Sequence, residues 1–145
     1  MSRLTGQSKE QEPASGRKLR ALVIDDEPDI RLMLDLFLRN AGYIVTCAAS
    51  AFAALEIAGG SDPFDIVISD IGLPGMDGYQ LASALRRLFG YASVPMIAVT
   101  GFVEYSDRER ALQSGFDEHL TKPINLDSLI RLIKRLNPPA HRTSP

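Results

Sequence analysis

Phe64-Asp65-Ile66-Val67-Ile68-Ser69-Asp70-Ile71-Gly72-Leu73-Pro74-Gly75-Met76-Asp77-Gly78 is the stretch on which the reading of this chain turns. Its first half is a short apolar, β-branched run bounded by turn formers, which predicts a buried strand. The strand ends on Asp70, and a Gly/Pro-rich loop follows at once. In an open parallel sheet, ligands and chemistry gather just beyond the carboxyl ends of the strands. A lone carboxylate elsewhere on a buried strand would be costly, so an acid at this end is placed for work.

A second strand ends the same way. Leu19 to Ile24 is apolar apart from Arg20, and it stops at Asp25-Asp26-Glu27-Pro28. Two strands delivering carboxylates to one edge imply a shared acid pocket. Two carboxylates about 4 Å apart repel by roughly 4 kcal/mol at an effective dielectric near 20. Such a cluster calls for a cation, and hard oxygen ligands with room for water suit Mg²⁺.

Composition narrows the rest. At 145 residues with 45% hydrophobic content, the chain has material for one domain with one core, plus tails. A net charge of −2 gives no global attraction to nucleic acid or to an anionic membrane. No apolar run approaches spanning length, and Met1-Ser2-Arg3-Leu4-Thr5-Gly6 carries no apolar signal core, so a cytoplasmic protein without membrane insertion is expected. The single Cys47 rules out an intrachain disulfide. It lies in an apolar strand, where a thiol acts as a small core residue.

Residues 1–17 are polar, with hardly any apolar anchor, and read as a disordered tail. The ordered domain is expected over 18–137, and the Pro-containing run 138–145 as a second disordered tail. After the first strand, Pro28 suits the first turn of a helix, and Asp26, Glu27 and Asp29 complement its dipole. Ile30, Met33, Leu34, Phe37 and Ala41 recur at helical spacing until Gly42 stops the run. Tyr43–Ala48 is strand-like. Ser50 caps a short helix that ends at Gly59-Gly60. After the acid loop, Tyr79–Leu88 forms a helix with Leu81, Ala84, Leu85 and Leu88 on one face and Arg86-Arg87 in solvent.

Val94–Val99 is a buried strand running into Thr100-Gly101. A polar helix over 106–114 turns Ala111 and Leu112 inward, and Phe116–Thr121 is a short strand ending at Lys122-Pro123. Leu126–Leu136 forms the last helix, stopped by Asn137-Pro138-Pro139. Five β-α repeats predict an α/β, doubly wound, five-stranded parallel sheet with helices on both faces. Asp25/Asp26, Asp70, Thr100 and Lys122 then converge, because each stands at a strand end and parallel strands point one way.

At these residues the sequence resembles the receiver domains of bacterial two-component response regulators. The resemblance covers roughly residues 19–136. It rests on the acid pair Asp25-Asp26, the segment Asp70-Ile71-Gly72-Leu73-Pro74-Gly75-Met76-Asp77-Gly78, Thr100-Gly101 and Lys122-Pro123, in order at the ends of alternating strands. It implies a flavodoxin-like sheet of order 2-1-3-4-5. Asp70 would be the phosphoacceptor, taking a phosphoryl group from a sensor histidine kinase or a histidine phosphotransfer protein. Asp26, Asp70 and the Gly72 carbonyl would ligate Mg²⁺ directly, with Asp25 assisting through water. Thr100 would hydrogen-bond the phosphoryl oxygens, Lys122 would neutralise their charge, and Lys122-Pro123 would be a cis peptide.

The chemistry independently wants these residue types. Phosphoryl transfer needs in-line positioning and compensation of charge spread over three oxygens, with little covalent help. A lysine supplies a point charge and a threonine hydroxyl a movable donor. The protein would thus be a phosphoacceptor assisting its own phosphorylation and dephosphorylation, not an enzyme with a separate substrate. The resemblance also implies a switch: Thr100 drawn inward, and an aromatic on the neighbouring strand turning into the space. That position is commonly Tyr or Phe, and here it is His119, a smaller polar ring that would couple more weakly or with pH. The side chains two positions beyond Asp70 and Thr100 are Gly72 and Phe102, neither able to orient an attacking water. A phosphoryl group not specially hurried off is expected.

A haloacid-dehalogenase-like phosphatase would also use an Asp after a parallel strand. It would place a second acid two residues on, where this chain has Gly72. A flavin-binding module would want a phosphate-cradling loop after the first strand, and Asp25-Asp26-Glu27 would repel a phosphate. Helix capping alone explains one Asp, not five polar groups at one edge. With only a short tail after Leu136, output is expected to pass to a protein target through the 105–136 face. The run Gly115–Leu129 looks most like receivers joined to hybrid sensor kinases, which favours a relay.

Overall fold

The computed structural model describes residues 17–101 and 105–137, and of 105–108 the backbone alone. The expected tails, apart from Arg17, and Phe102 lie outside the described residues. In chain order the elements are β1 (Arg20–Ile24), α1 (Pro28–Asn40), β2 (Ile44–Ala48), α2 (Ala51–Gly59), β3 (Ile66–Asp70), α3 (Gly78–Arg86), β4 (Met96–Thr100), α4 (Tyr105–Ser114), β5 (Glu118–Thr121) and α5 (Leu126–Leu136). The five strands form one sheet in the order β2-β1-β3-β4-β5, every pair parallel. This is the doubly wound parallel sheet that the alternation implied, in the flavodoxin-like order that the resemblance implied.

Strand side chains alternate between the two faces, and each face has its own core. Ala21, Val23, Ile66, Ile68, Ile97 and Val99 pack with Leu34 and Leu38 of α1 and with Leu129, Leu132 and Ile133 of α5. Leu22, Ile24, Val67, Met96 and Ala98 pack with the small faces of α2 (Ala51, Ala54, Ala58), with Leu81, Ala82 and Leu85 of α3, and with Ala111 of α4. Both faces of β3 and β4 are covered, so Ile66–Ile68 and Met96–Val99 read as continuous apolar runs rather than alternating ones.

Three side chains lie elsewhere than their spacing suggests. Leu38, not Ala41, completes the buried stripe of α1, since Ala41 is already the C-cap and exposed. Leu112 is 48% exposed, because it follows buried Ala111 by about 100° of helix and so faces away from the sheet. Arg86 is the largest departure, for only its neighbour Arg87 stands in solvent. The Arg86 guanidinium donates to the carbonyls of Tyr91 (2.9 Å), Val94 (2.7 Å) and Gly115 (3.0 Å) and to the Asp117 carboxylate (3.1 Å). That carboxylate also accepts from Met96 N–H at 2.8 Å. One side chain thereby ties α3 to the loops entering β4 and β5. Arg86→Met is expected to cost about 2 kcal/mol by leaving those carbonyls unpaired, with Arg86→Lys recovering only part, because an ammonium cannot fork. An unchanged urea midpoint for Arg86→Met would contradict this.

Candidate functional site

The polar residues at the carboxyl edge owe their positions to strand register. Ser69 of β3 pairs with Ile24 of β1, and Asp70 pairs with Val99 of β4, so Asp25, Asp70 and Thr100 fall at neighbouring strand ends. Lys122 follows the last residue of β5, and its N–H donates to the Thr100 carbonyl at 2.8 Å. The Lys122–Pro123 peptide is cis. A cavity of about 340 Å³ opens there, lined by Asp26, Glu27, Asp70, Gly72, Thr100 and Lys122 among others.

Asp25, Asp26 and Asp70 each present a carboxylate oxygen within 4.8 Å of the others. Asp25 and Asp70 are buried, at 2% and 7% exposure, whereas Asp26 is open to solvent. Asp25 Oδ1 accepts from Glu27 N–H (2.9 Å), and Arg31 donates to the Asp25 carbonyl (2.8 Å), which fixes the turn into α1. Asp70 Oδ1 accepts from Gly72 N–H at 3.2 Å. The Lys122 ammonium stands 3.3 Å from Asp25 and 3.4 Å from Asp70, with Glu27 at 3.7 Å.

Four acids against one lysine leave the cluster three charges negative. Burial raises the Asp70 carboxyl above the ordinary carboxylate range, and Asp25 raises it further, while Lys122 and the Gly72 N–H pull only partly the other way. Burial works to lower the Lys122 ammonium, but attraction to Asp70 and Asp25 prevails and raises it. Three converging carboxylates that their own lysine does not neutralise are a donor set fit for one hard divalent cation.

The Asp77-Gly78 pair has a part in placing Asp70. Asp77 caps α3, accepting from Gln80 N–H (2.9 Å) while Gln80 accepts from Asp77 N–H (3.0 Å). The first residue of the helix, Gly78, lies against the strand end. A Cβ there would stand 2.5 Å from the Asp70 carbonyl oxygen and 2.7 Å from Ile71 Cα. Gly72, by contrast, faces open space.

His119 is half-buried on β5, opposite Ala98 of β4. Paired residues of parallel strands share a face, and Thr100 lies two beyond Ala98, so Thr100 and His119 occupy the α2-α3-α4 face together. The residue at the site that sequence reading left out is Glu27. The sequence places it in the acidic run after β1 and at the dipole of α1 but not among the site residues, yet it lines the cavity beside Lys122. Its place two after Asp25, before Pro28 turns the chain, was the available signal.

The chain is similar to known proteins. The family model described as response regulator receiver domain matches residues 21–134. An uncharacterised 14.6 kDa protein of Leptolyngbya boryana is 40% identical over 79% of this chain and 86% of its own length. The sensor histidine kinase GacS of Pseudomonas protegens is 34% identical over 87% of this chain, which spans only 14% of that protein. Among solved structures, the chemotaxis protein CheY4 of Vibrio cholerae superposes with a TM-score of 0.79 at 30% identity, over 83% of this chain and 99% of its own. The receiver domain of a Pseudomonas aeruginosa sensor histidine kinase, crystallised with a magnesium ion coordinated in its active-site cleft, gives a TM-score of 0.76 at 31% identity, over 83% and 98%.

Proposed function

The chain belongs to the response regulator receiver domain family of two-component signalling, and from that membership we propose that it accepts a phosphoryl group on Asp70. The donor is a phosphohistidine on a sensor histidine kinase or a histidine phosphotransfer protein. The observation that carries the reading is Asp70 itself, buried at a strand end with two other aspartates and one lysine gathered on it. No described helix is long and apolar enough to cross a membrane, and a cytoplasmic setting belongs to the same proposal.

An Asp70 carboxylate oxygen attacks phosphorus in line with the N–P bond of the donor. The O–P bond forms as the N–P bond breaks, and the imidazole leaves with its electron pair. Asp26, Asp70 and the Gly72 carbonyl would hold Mg²⁺, with Asp25 assisting through water; once bound, the ion draws off the charge that otherwise sets the carboxylate against an anionic donor. Lys122, already beside Asp70, offers its ammonium to the incoming phosphoryl oxygens, and the Thr100 hydroxyl donates to another. Acetyl phosphate with Mg²⁺ is expected to leave a single adduct, which peptide mapping by mass spectrometry places on Asp70. An adduct elsewhere, or sustained turnover of phosphate esters, would overturn the proposal.

Two further expectations follow from the surroundings. Gly72 faces open space, so Gly72→Asn fits without a fold penalty and hangs an amide over the cavity. By orienting a water it is expected to shorten the phosphoryl lifetime about threefold or more. An unchanged decay of labelled protein would show that this position does not set the rate. The second concerns output through the 105–136 face: Thr100 and His119 share one sheet face, so a movement of Thr100 would pass to His119. His119→Ala is expected to take up phosphoryl groups normally while losing most of the amide shifts that modification induces in β5 and α5. Retention of those shifts would remove His119 from the switch.

A further inference from the structure

We propose that the groove between α3 and α4 is a binding site for a small phosphate monoester, held by Arg87 and Arg110. The groove encloses about 430 Å³ and is lined by Met76, Tyr79, Gln80, Ser83, Arg87 and Arg110 among others. None of its lining residues is acidic, and none is shared with the acid cavity. It is a second site, of opposite charge.

The unusual feature is what the two arginines lack. Nine arginine side chains are described, and seven of them donate to a protein oxygen. Arg87 and Arg110 are the two that do not, among the described residues, and both open into this groove. Arg110 is nonetheless held in place. Its guanidinium lies 4.2 Å from the centroid of the Tyr79 ring, a cation–π stack that fixes the plane and leaves the in-plane N–H groups for an acceptor. The wall behind it is knitted by Ser114 Oγ donating to the Arg110 carbonyl (2.7 Å) and Ser83 Oγ donating to the Ser114 carbonyl (3.2 Å).

Planar forks of this kind match the oxygens of a phosphate, and two together match a dianion. Gln80 gives its carbonyl oxygen to the α3 cap and so keeps its amide N–H groups as further donors. The groove falls within the range of small-molecule sites and exceeds what a bare phosphate needs. Met76 and Ala84 supply apolar surface for the organic part of an ester.

Titrating the magnesium-free chain with adenosine 5′-monophosphate, followed by amide and arginine Nε–H resonances, tests this. Saturable shifts are expected at Arg87, Arg110, Gln80 and Ser83, weaker with inorganic phosphate and absent with adenosine. Arg87→Gln and Arg110→Gln should each weaken binding about tenfold, the scale of a lost charge-assisted pair. Asp70→Asn should leave it unchanged, and both arginine variants should still take up phosphoryl groups from acetyl phosphate. Shifts centred on Asp70, equal binding by adenosine, insensitivity to both arginine variants, or a response only to a glutamate-rich peptide would each overturn the proposal.

Discussion

Asp70→Asn is expected to reduce phosphoryl incorporation from acetyl phosphate below about one part in a hundred of the unmodified chain, since an amide oxygen is no nucleophile toward phosphorus. The same substitution should stabilise the metal-free fold. Asp70 is buried with Asp25 close by, and its carboxyl titrates above the ordinary range, so folding disfavours its charged form. For an acid raised in the folded state, stability is highest below the unfolded pKa. It is lost as pH climbs through the folded pKa. A neutral isostere removes that loss while leaving Asp25 paired with Lys122 at 3.3 Å. The variant should melt above its parent at pH 7, with Lys122 keeping the gain small because it offsets much of the carboxylate repulsion. Near pH 3 the two melting curves should converge. Added Mg²⁺ should then raise the Tm of the parent chain more than that of the variant, which has lost a ligand. A variant less stable than its parent at pH 7 without metal would mean that Asp70 is held by attraction rather than under strain of charge.

These expectations depend on features that were unevenly legible in the sequence. Strand ends were the clearest, because β3 and β4 are covered on both sides and their apolar runs stop abruptly at Asp70 and Thr100. Parallel pairing then determines which polar groups meet, so the acid pocket follows from the sequence pattern alone. What periodicity cannot resolve is the division of labour between adjacent acids. Asp25 is buried against Lys122 and Asp26 is open, a distinction set by how the turn into α1 is pinned by Glu27 N–H and Arg31. Nor can composition tell a solvated arginine from a bolted one. Arg86 and Arg87 are chemically identical neighbours, yet one helical step, about 100°, carries Arg86 onto the loop carbonyls around Gly115 and leaves Arg87 on the groove. Long-range carbonyl partners of that kind leave no local signature.

Gly78 joins fold to site most tightly, and Gly78→Ala is expected to damage both. Its N–H donates to the Ile71 carbonyl at 2.9 Å, which draws the start of α3 onto the end of β3. The space for a side chain is taken: a Cβ would meet the Asp70 carbonyl oxygen at 2.5 Å and Ile71 Cα at 2.7 Å, both backbone atoms that no rotamer change can move. Helix propensity alone favours alanine over glycine by about 1 kcal/mol, so a pure propensity argument predicts stabilisation. Sterics oppose it, since the overlap can be relieved only by shifting α3 off the sheet or by twisting the peptide after Asp70. Tyr79, Leu81, Ala82 and Leu85 on that helix are all packed into the core, which resists the first route. The second swings the Asp70 carboxylate away from Lys122 and the other aspartates. A loss of about 3 kcal/mol is expected by denaturant unfolding, together with a drop of at least about tenfold in phosphoryl uptake under conditions where the variant is still folded. The surviving folded fraction separates the two effects, because destabilisation alone would leave its uptake rate intact. Stability equal to or above the parent would show that the helix start can recede freely, and normal uptake by the folded variant would show that Asp70 does not depend on Gly78 for its aim.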